Sequence, residues 1–381
     1  GALAVQNFTS ATNTFNTAVG FNAGLSVTTG TLNTIMGGLA GDALTTSIGN
    51  TAVGYLSLSA ETQGKASVAI GYEALKVQNT TSDSFIFNTA VGYGAGGSVT
   101  TGVNNTLIGA LAGDALTDAD HNVAIGYLAL SADTQGSRSI AIGFGTLDAQ
   151  NFTSATDAYN VGIGYTAGGA VTTGVENVLI GGLAGDALTD ADYNIAIGQS
   201  ALSADTIGSK SIAIGRQALQ SQNMSSALDT HNIAIGYQSQ GSSTTALNNI
   251  AIGTISLFTN TTGRKNIAIG KGALQTFNVT DSSDTNNIGI GFEAGKQLTT
   301  GIRNILIGGV AGDAITDADG NVAMGHSALS SNTVGSYSVA LGFRALNNQN
   351  PSSATDMYNT AVGTDAGTSV TTGVRNTLMG G

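Results

Sequence analysis

Three nearly identical stretches of the sequence carry oxygen-bearing side chains at a spacing that could bind a metal ion. They read GDALTDADHN, GDALTDADYN and GDAITDADGN. An Asp-x-Asp-x-Asn run places carboxylate and amide oxygens at alternate positions of a turn, as at the start of a calcium-binding loop. The pattern gives three candidate calcium sites, formed by Asp118, Asp120 and Asn122, by Asp190, Asp192 and Asn194, and by Asp317, Asp319 and Asn321.

The same residues have a second interpretation as solvated turns. No glutamate stands at the twelfth position of these stretches and no glycine follows the run, although the calcium loop requires both. A further copy, GDALTTSIGN, lacks the aspartates. Asp and Asn side chains also stabilise turns by accepting hydrogen bonds from nearby backbone amides. The turn is the favoured interpretation, and calcium is the single candidate cofactor.

Two other patterns could suggest enzyme chemistry. NVGIGYTAGG, at residues 160–169, is close to the glycine-rich turn that binds a pyrophosphate. That motif needs a strand, a loop, a helix and an acidic residue about 20 positions later, whereas here similar glycines recur throughout the chain. The histidines His121, His231 and His326 have no cysteine nearby and fit no Ser/His/Asp arrangement. We therefore predict that the protein binds no nucleotide and is not an enzyme.

The composition argues against several classes of partner. The chain has 381 residues with 55 glycines, one proline, no cysteine and a formal net charge of −12. Nucleic acids and anionic membranes are bound by clustered Lys and Arg, but the twelve basic residues are scattered. No segment approaches the ~18 consecutive apolar residues of a membrane span. We expect no nucleic acid partner and no membrane insertion.

A repeated motif, Asn-Thr-Ala-Val-Gly or Asn-Ile-Ala-Ile-Gly, runs through the whole sequence. It occurs in twenty-one copies, and we call its last residue the signature glycine. The intervals between successive signature glycines run 17, 17, 17 and 21, and these four together form one superrepeat, as from Gly20 to Gly92. Between Gly236 and Gly291 one 17-residue copy is missing. Such a fixed period is typical of a repeat architecture.

Each position of the motif predicts a role in one coil. The residues one and three positions before the signature glycine are aliphatic or Thr in every copy, so we expect them to form the buried face of a strand. The residue between them is Ala or Gly in sixteen copies, which predicts a small opposite face. Four positions before the glycine stands Asn in seventeen copies and Ser in four, a residue type that could stack into an amide ladder. The predicted turn and ladder residues include Asn50, Gly54, Asn122, Gly126, Asn194 and Gly198.

These patterns predict an all-β fold, a parallel β-solenoid or β-roll of about 21 coils, in which every fourth 17-residue coil is replaced by a 21-residue coil. Two short strands and two turns fit between successive signature glycines, whereas helical segments do not. Residues 1–381 are expected to form a single continuous repeat region of four-coil superrepeats, a fragment of a longer fibre. The additional residues of each 21-residue coil are expected to project as a loop, where recognition is usually placed on a rigid scaffold.

Two surface functions remain open as less favoured alternatives. A Thr-Thr-Gly element recurs in some coils, and regular threonine arrays raise the hypothesis of ice binding. Asn-x-Ser/Thr sequons for N-glycosylation stand at Asn7, Asn79, Asn151, Asn223, Asn260 and Asn278. The composition, rich in Asn and Thr, accounts for most of these sequons by chance.

The string NIAIGTISLFTNTTGRKNIAIGKGAL, at residues 249–274, resembles the repeats of phage tail fibres and related surface fibres. The Ala-Ile-Gly signature is also similar to that of trimeric autotransporter adhesin heads. The resemblance implies a homotrimeric β-roll fibre on the virion surface or outside the cell, with a host cell-surface glycan or protein as receptor. Tail fibres of this kind often end in an intramolecular chaperone domain, for which this sequence has no counterpart.

The expected function is that of a structural fibre shaft that presents receptor-binding loops, as in a phage tail fibre attaching to its host. The alternative is a bacterial surface adhesin or an extracellular filament subunit built on the same solenoid. A glycan-cleaving tailspike would need a pair of carboxylates in one groove, and the acids scattered over the repeats supply none.

Overall fold

The structure, a computed structural model, describes residues 1–4, 6 and 13–380. One three-residue strand, the signature strand, forms in every coil directly before the signature glycine. β-branched residues favour this extended backbone, and the glycine ends it. The contacts divide the chain into two units, Gly1–Asp192 and Tyr193–Gly381.

The first unit contains ten signature strands and two strands of two residues. Its strands are β1 (Thr17–Val19), β2 (Thr34–Met36), β3 (Thr51–Val53), β4 (Val68–Ile70), β5 (Thr89–Val91), β6 (Thr106–Ile108), β7 (Val123–Ile125), β8 (Gly136–Ser137), β9 (Ile140–Ile142), β10 (Thr156–Asp157), β11 (Val161–Ile163) and β12 (Val178–Ile180).

The second unit contains eleven signature strands and four strands of two residues. Its strands are β13 (Ile195–Ile197), β14 (Gly208–Ser209), β15 (Ile212–Ile214), β16 (Leu228–Asp229), β17 (Ile233–Ile235), β18 (Ile250–Ile252), β19 (Ile267–Ile269), β20 (Ile288–Ile290), β21 (Ile305–Ile307), β22 (Val322–Met324), β23 (Gly335–Ser336), β24 (Val339–Leu341), β25 (Thr355–Asp356), β26 (Thr360–Val362) and β27 (Thr377–Met379).

Within each unit, a signature strand pairs in parallel with that of the next coil, equivalent residue against equivalent residue. Thr17 of β1 lies opposite Thr34 of β2. The register is kept across a 21-residue coil, since Ile140 of β9 pairs with Val161 of β11. The predicted all-β parallel β-solenoid is therefore confirmed, with about 21 coils, most of them of the 17-residue kind, and no helix in the described residues.

The predicted orientation of the signature strand is wrong. Its middle residue faces the interior, as Ala52 and Leu107 do with no exposed surface, while the two aliphatic residues beside it are half-buried or exposed. The asparagine at the start of the motif explains this orientation. Asn122 lies on the same strand face as the middle residue Ala124, and both are fully buried. Because the Asn side chain is buried, the two aliphatic residues of the strand, which lie on the opposite face, point outward.

The segment after the signature glycine is a turn ribbon instead of the second strand that the sequence predicts. In the coil of Gly126, Leu128 and Leu130 have positive φ angles of 56° and 54°. Residues of positive φ alternate with other residues along the ribbon, so successive amides point to opposite neighbours. The amide of Leu128 donates to Ala110 O of the preceding coil at 3.2 Å, and that of Leu130 donates to Thr146 O of the following coil at 3.0 Å. The ribbon therefore ties each coil to both of its neighbours.

The signature glycine is required by its φ angle and by the next coil. Gly54, Gly126 and Gly198 have φ angles of 131°, 137° and 128°, which L side chains rarely adopt. A Cβ on Gly126 would also overlap the carbonyl oxygen of Gly143 in the following coil. Glycine therefore stacks directly on glycine along each unit.

We expect Gly126→Ala to lower the urea midpoint of unfolding. The strained backbone alone costs about 1–3 kcal/mol, and the added methyl group would separate two coils. Gly182→Ala is the matched control, because a Cβ at Gly182 would meet no atom within 4 Å and its φ lies outside the left-handed region. Circular dichroism during urea titration measures both variants. Equal midpoints for the two would contradict the stacking role.

Candidate functional site

A ladder of buried asparagines fixes the turn that precedes each signature strand. The amide N–H of Asn122 donates to Asn105 Oδ1 at 2.9 Å, and Asn122 Oδ1 accepts from the amide of Ser139 in the next coil at 2.9 Å. Asn122 Nδ2 donates to Gly136 O at 2.9 Å, on the far side of its own coil. One side chain thus joins three neighbouring segments. The ladder also includes Asn50, whose Nδ2 donates to Gly64 O, and Asn194, whose Nδ2 donates to Gly208 O.

A buried carboxylate holds the base of each 21-residue coil in the first unit. Asp133 is fully buried and accepts from the amides of Gly136 at 3.0 Å and Phe152 at 3.1 Å. Gln150 Nε2 donates to its second oxygen at 2.6 Å. Since Phe152 begins the loop, this carboxylate positions the loop from inside the scaffold. We call Asp133 and its counterparts, in the coil before each loop, the clamp residues; they are Glu61, Asp133, Asp205, Asn260 and Asn332.

The glutamine beside the clamp residue explains why some coils have Ser in place of the ladder Asn. Gln150 Nε2 also donates to Ser139 Oγ at 3.1 Å, and Gln150 Oε1 accepts from Asn160 Nδ2 at 2.9 Å. The glutamine amide thus occupies the space that an Asn side chain would fill. One 21-residue coil, that of Gly270, keeps the ladder asparagine, Asn266. In this coil the buried Phe277 stands in place of the glutamine. This paired exchange is visible in the sequence, but our sequence reasoning missed it.

The loops held by this network project into solvent. Residues 153–155 and 225–229 are exposed, as the extra length of these coils predicts. An ion pair between a basic residue and a loop aspartate covers the outside of four loops. The pairs are Lys65–Asp83 at 2.6 Å, Arg138–Asp157 at 2.8 Å, Lys210–Asp229 at 2.5 Å and Lys265–Asp284 at 2.6 Å. Three of these pairs are solvent-exposed on both sides and add little stability, whereas the Lys65 side chain is only 14% exposed; the buried clamp is the main anchor.

A cleft of about 560 Å³ lies beside one of these loops in the second unit. Its carboxylates and hydroxyl groups make it an acidic, hydrogen-bonding surface with no basic side chain in its lining. A hydrogen bond with Ser283 lowers the pKa of Asp281, which keeps this carboxylate charged. The lining residues are Asn278, Val279, Thr280, Asp281, Ser283, Thr300, Ile302, Asp317 and Asp319.

The candidate calcium residues bond to separate parts of the scaffold. In the first copy, Asp118 accepts from the Thr117 hydroxyl at 3.3 Å and Asp120 Oδ1 accepts from the amide of Val103 at 2.7 Å. Asn122 is engaged in the buried ladder. Among the described residues, no group of three or more His, Cys, Asp or Glu side chains is arranged to hold a metal ion.

The other two copies repeat these contacts. The first aspartate accepts from the preceding threonine hydroxyl, the second accepts from an amide of the preceding coil, and the asparagine joins the ladder. The hydrogen bonds measure 3.3 Å for Asp190, 2.8 Å for Asp192, 3.2 Å for Asp317 and 2.7 Å for Asp319, and the ladder residues are Asn194 and Asn321. The bonds run to a threonine hydroxyl, to the preceding coil and to the asparagine ladder; the solvated turn and calcium binding both stay predictions.

A second ladder, of threonines, was also missed by the sequence reasoning. Eight positions after the signature glycine, Thr occurs in every 17-residue coil and Asn in every 21-residue coil. Both the amide and the hydroxyl of Thr117 donate to Thr134 O at 2.9 Å. In this ladder the threonine hydroxyls serve the scaffold, which weakens the ice-binding interpretation.

The histidines and sequons are dispersed over the surface and the interior. His326 stacks on Phe343 with ring centroids 5.8 Å apart, and His121 and His231 are exposed in other coils. Asn260 is fully buried as a clamp residue, so its sequon is inaccessible in the folded chain. Asn7 lies outside the described residues. Sequon asparagines exposed beside loops are Asn79, Asn151 and Asn223.

Comparison with known proteins adds no family to this description. No protein-family model matches the chain, and no curated protein matches it either. Within the described residues, no helix has the length and apolar character needed to cross a membrane. The fold and the anchored loops therefore define the class, a parallel β-solenoid repeat protein.

We expect Asp133→Leu to destabilise the first unit and Asp133→Asn to be tolerated. Leucine leaves the amides of Gly136 and Phe152 without an acceptor, and each buried unpaired donor costs about 1–3 kcal/mol. Asparagine keeps an acceptor, as Asn260 does where it receives the amide of Gly263 at 2.9 Å. Urea midpoints and proteolysis within residues 153–155 measure the effect. Equal loss in both variants would show that the charge itself is needed.

Proposed function

We propose that this chain is part of the shaft of an extracellular or virion fibre, as in a phage tail fibre, and that it presents loops to a host cell-surface receptor. The main supporting observation is that loops recur on one scaffold and are held from inside it. Asp133 and Gln150 fix the loop base by buried hydrogen bonds. Loops preorganised on a rigid element lose little entropy on binding, which suits a recognition surface.

The sequence of the loops varies while their base is repeated. The residues that follow the glutamine read NTTSDSFIFN, NFTSATDAYN and NMSSALDTHN in three successive 21-residue coils. The main-chain contacts recur, since the amide of Asn151 donates to Thr172 O and that of Asn223 donates to Thr244 O at 2.9 Å each. A constant base with a variable tip is the arrangement used for recognition on repeat scaffolds.

We further propose that copies of the chain associate as a homotrimer through the outward aliphatic face of the signature strands. This face includes Ile70, Ile108 and Met324, which are 37%, 37% and 42% exposed. The residue directly before the signature glycine is Val, Ile, Leu or Met in every coil, and large contiguous apolar patches are rare on monomeric proteins. Association would bury this face. The trimer is the state that the resemblance to tail fibres implies.

We expect the protein to be trimeric at micromolar concentration and Ile125→Lys to dissociate it. A lysine in this face would bury one unpaired charge from each copy. Thr153→Lys, in an exposed loop, is the control and should leave the trimer intact. Light scattering coupled to size-exclusion chromatography measures the mass. A monomeric wild-type protein would contradict the association.

Receptor binding is tested by adsorption of the protein to bacterial cells. Replacing the exposed residues 153–155 and 225–229 with Gly-Ser sequences should reduce adsorption at least tenfold and leave the melting temperature unchanged, because the clamp residues are kept. The matched control replaces Asp118 and Asp190, exposed residues outside the loops, with serine. Pretreating the cells with periodate or protease distinguishes glycan from protein receptors. Unchanged adsorption by the loop variant would contradict the proposed role.

A further inference from the structure

Aromatic side chains directly after the signature glycines form two interrupted columns in the first unit. The ring centroids of adjacent coils lie 5.2–5.6 Å apart; three of the four pairs are stacked, and Tyr127 and Phe144 are tilted by 38°. The small residue Ala110 interrupts the series after the first column, and Gly182 follows the second. The columns are Tyr55–Tyr72–Tyr93 and Tyr127–Phe144–Tyr165.

The interruption leaves one face of Tyr93 without a stacking ring. Tyr93 is 58% exposed, more than the middle ring Tyr72 at 44%. Two coil steps of about 4.8 Å separate the positions of Tyr93 and Tyr127, so about 10 Å lies between them above Ala110. A ring in van der Waals contact needs about 3.5–4 Å on each side. The gap therefore has room for one further six-membered ring.

A second missing side chain opens a cleft at the edge of the same tyrosine. Gly97 stands five positions after its signature glycine, where the coils on either side carry Lys76 and Asp114. The resulting cleft, which we call the Tyr93 cleft, has a volume of about 270 Å³. It is lined by Glu73, Lys76, Val77, Tyr93, Gly94, Gly97, Ser98, Leu111 and Asp114.

The polar groups of the Tyr93 cleft are placed around its aromatic wall. Glu73 and Lys76 form an ion pair at 3.2 Å on one side. On the other side, Asp114 Oδ1 has no hydrogen-bond partner in the described part of the chain. Burial raises the pKa of Asp114. The cleft thus combines an aromatic face with hydrogen-bonding groups of both signs.

A related arrangement occurs one superrepeat later, with Gly145 and Asp148 in place of Glu73 and Lys76. Tyr165 ends the second column and is 60% exposed, Gly169 replaces Gly97, and Asp186 replaces Asp114. Asp186 Oδ1 and Thr166 Oγ1 likewise have no partner among the described residues. The two copies are four coil steps apart, or about 19 Å. The coil of Phe21 lacks the glycine, with Leu25 in its place.

We propose that the Tyr93 cleft and the related surface at Tyr165 are saccharide-binding subsites, each receiving one pyranose ring on the uncovered face of the tyrosine. A pyranose presents a C–H face that packs on an aromatic ring and hydroxyl groups that bond to carboxylates at both subsites and to the Lys76 ammonium group at the first. Carboxyl groups outnumber the single ammonium group in the lining of the Tyr93 cleft, which disfavours anionic ligands such as phosphate. The inference rests on the proposed receptor-binding function and names a neutral glycan as its ligand class.

The first test adds an aromatic ring at each gap in the columns and keeps the residues of the proposed subsites unchanged. Tyrosine at positions 110 and 182 would continue the columns as in other coils, and a Cβ at Gly182 would meet no atom within 4 Å. We expect the double variant Ala110→Tyr/Gly182→Tyr to weaken binding of neutral tetrasaccharides at least tenfold. Gly38→Tyr fills the gap after Phe21, beside a coil without the glycine, and is the control that should leave binding unchanged. Isothermal titration measures tetrasaccharides of glucose, galactose and N-acetylglucosamine.

A second pair of substitutions removes the aromatic faces themselves. Tyr93→Ala/Tyr165→Ala should lose binding to a similar extent, with melting temperatures checking that every variant is folded. Absence of binding for all three sugars, or wild-type affinity in the filled variant, would overturn the saccharide subsites. Adsorption to cells that persists without tetrasaccharide binding would leave the loop function standing. Tetrasaccharide binding without adsorption to any cell would overturn the loop function alone.

Discussion

The stacking of glycine on glycine is the constraint on which the rest of each unit depends. A side chain at Gly126 would overlap the carbonyl of Gly143, so the backbones of successive coils meet there without an intervening group. This contact fixes the separation of the coils and the register of the strands. Once both are fixed, every equivalent residue stands above its counterpart. Ladders of asparagine, threonine and aromatic rings then follow from repetition alone.

The interior of the solenoid is polar to an unusual degree for a packed core. Asn122, Asp133 and Gln150 are fully buried, and each has several hydrogen-bond partners. Apolar packing alone would tolerate sliding between coils of similar shape. Directional hydrogen bonds from these side chains to specific amides allow much less sliding between coils, because a shifted donor would remain unpaired. The polar interior thus supplies specificity of register, and the buried alanines and leucines supply the apolar contacts.

The spacing of the signature glycines was sufficient to predict the solenoid, its coil length and its loops. It could not settle which face of the strand points inward, since an alternation of period two fits either choice. The decisive residue was the asparagine of the motif, which shares a face with the middle residue Ala124. The turn ribbon was missed because Leu128 and Leu130 adopt positive φ angles. Leucine rarely adopts this conformation, so its presence in the sequence does not indicate it. The role of the clamp residue Asp133 was missed because its partners, Gly136 in its own coil and Gln150 and Phe152 in the next coil, are not adjacent in sequence.

The register across coils of unequal length has an evolutionary consequence. The 21-residue coil inserts its loop without moving the strand pairs on either side, as Ile140 and Val161 show. The region around Gly236 and Gly253 lacks one coil of the usual four, yet Ile233 and Ile250 pair in the same register as the neighbouring strands. A gene built of such repeats can therefore gain or lose whole coils by unequal recombination, and each product encodes a chain whose strands still align. Coil number and loop number become heritable variables that change separately from the fold.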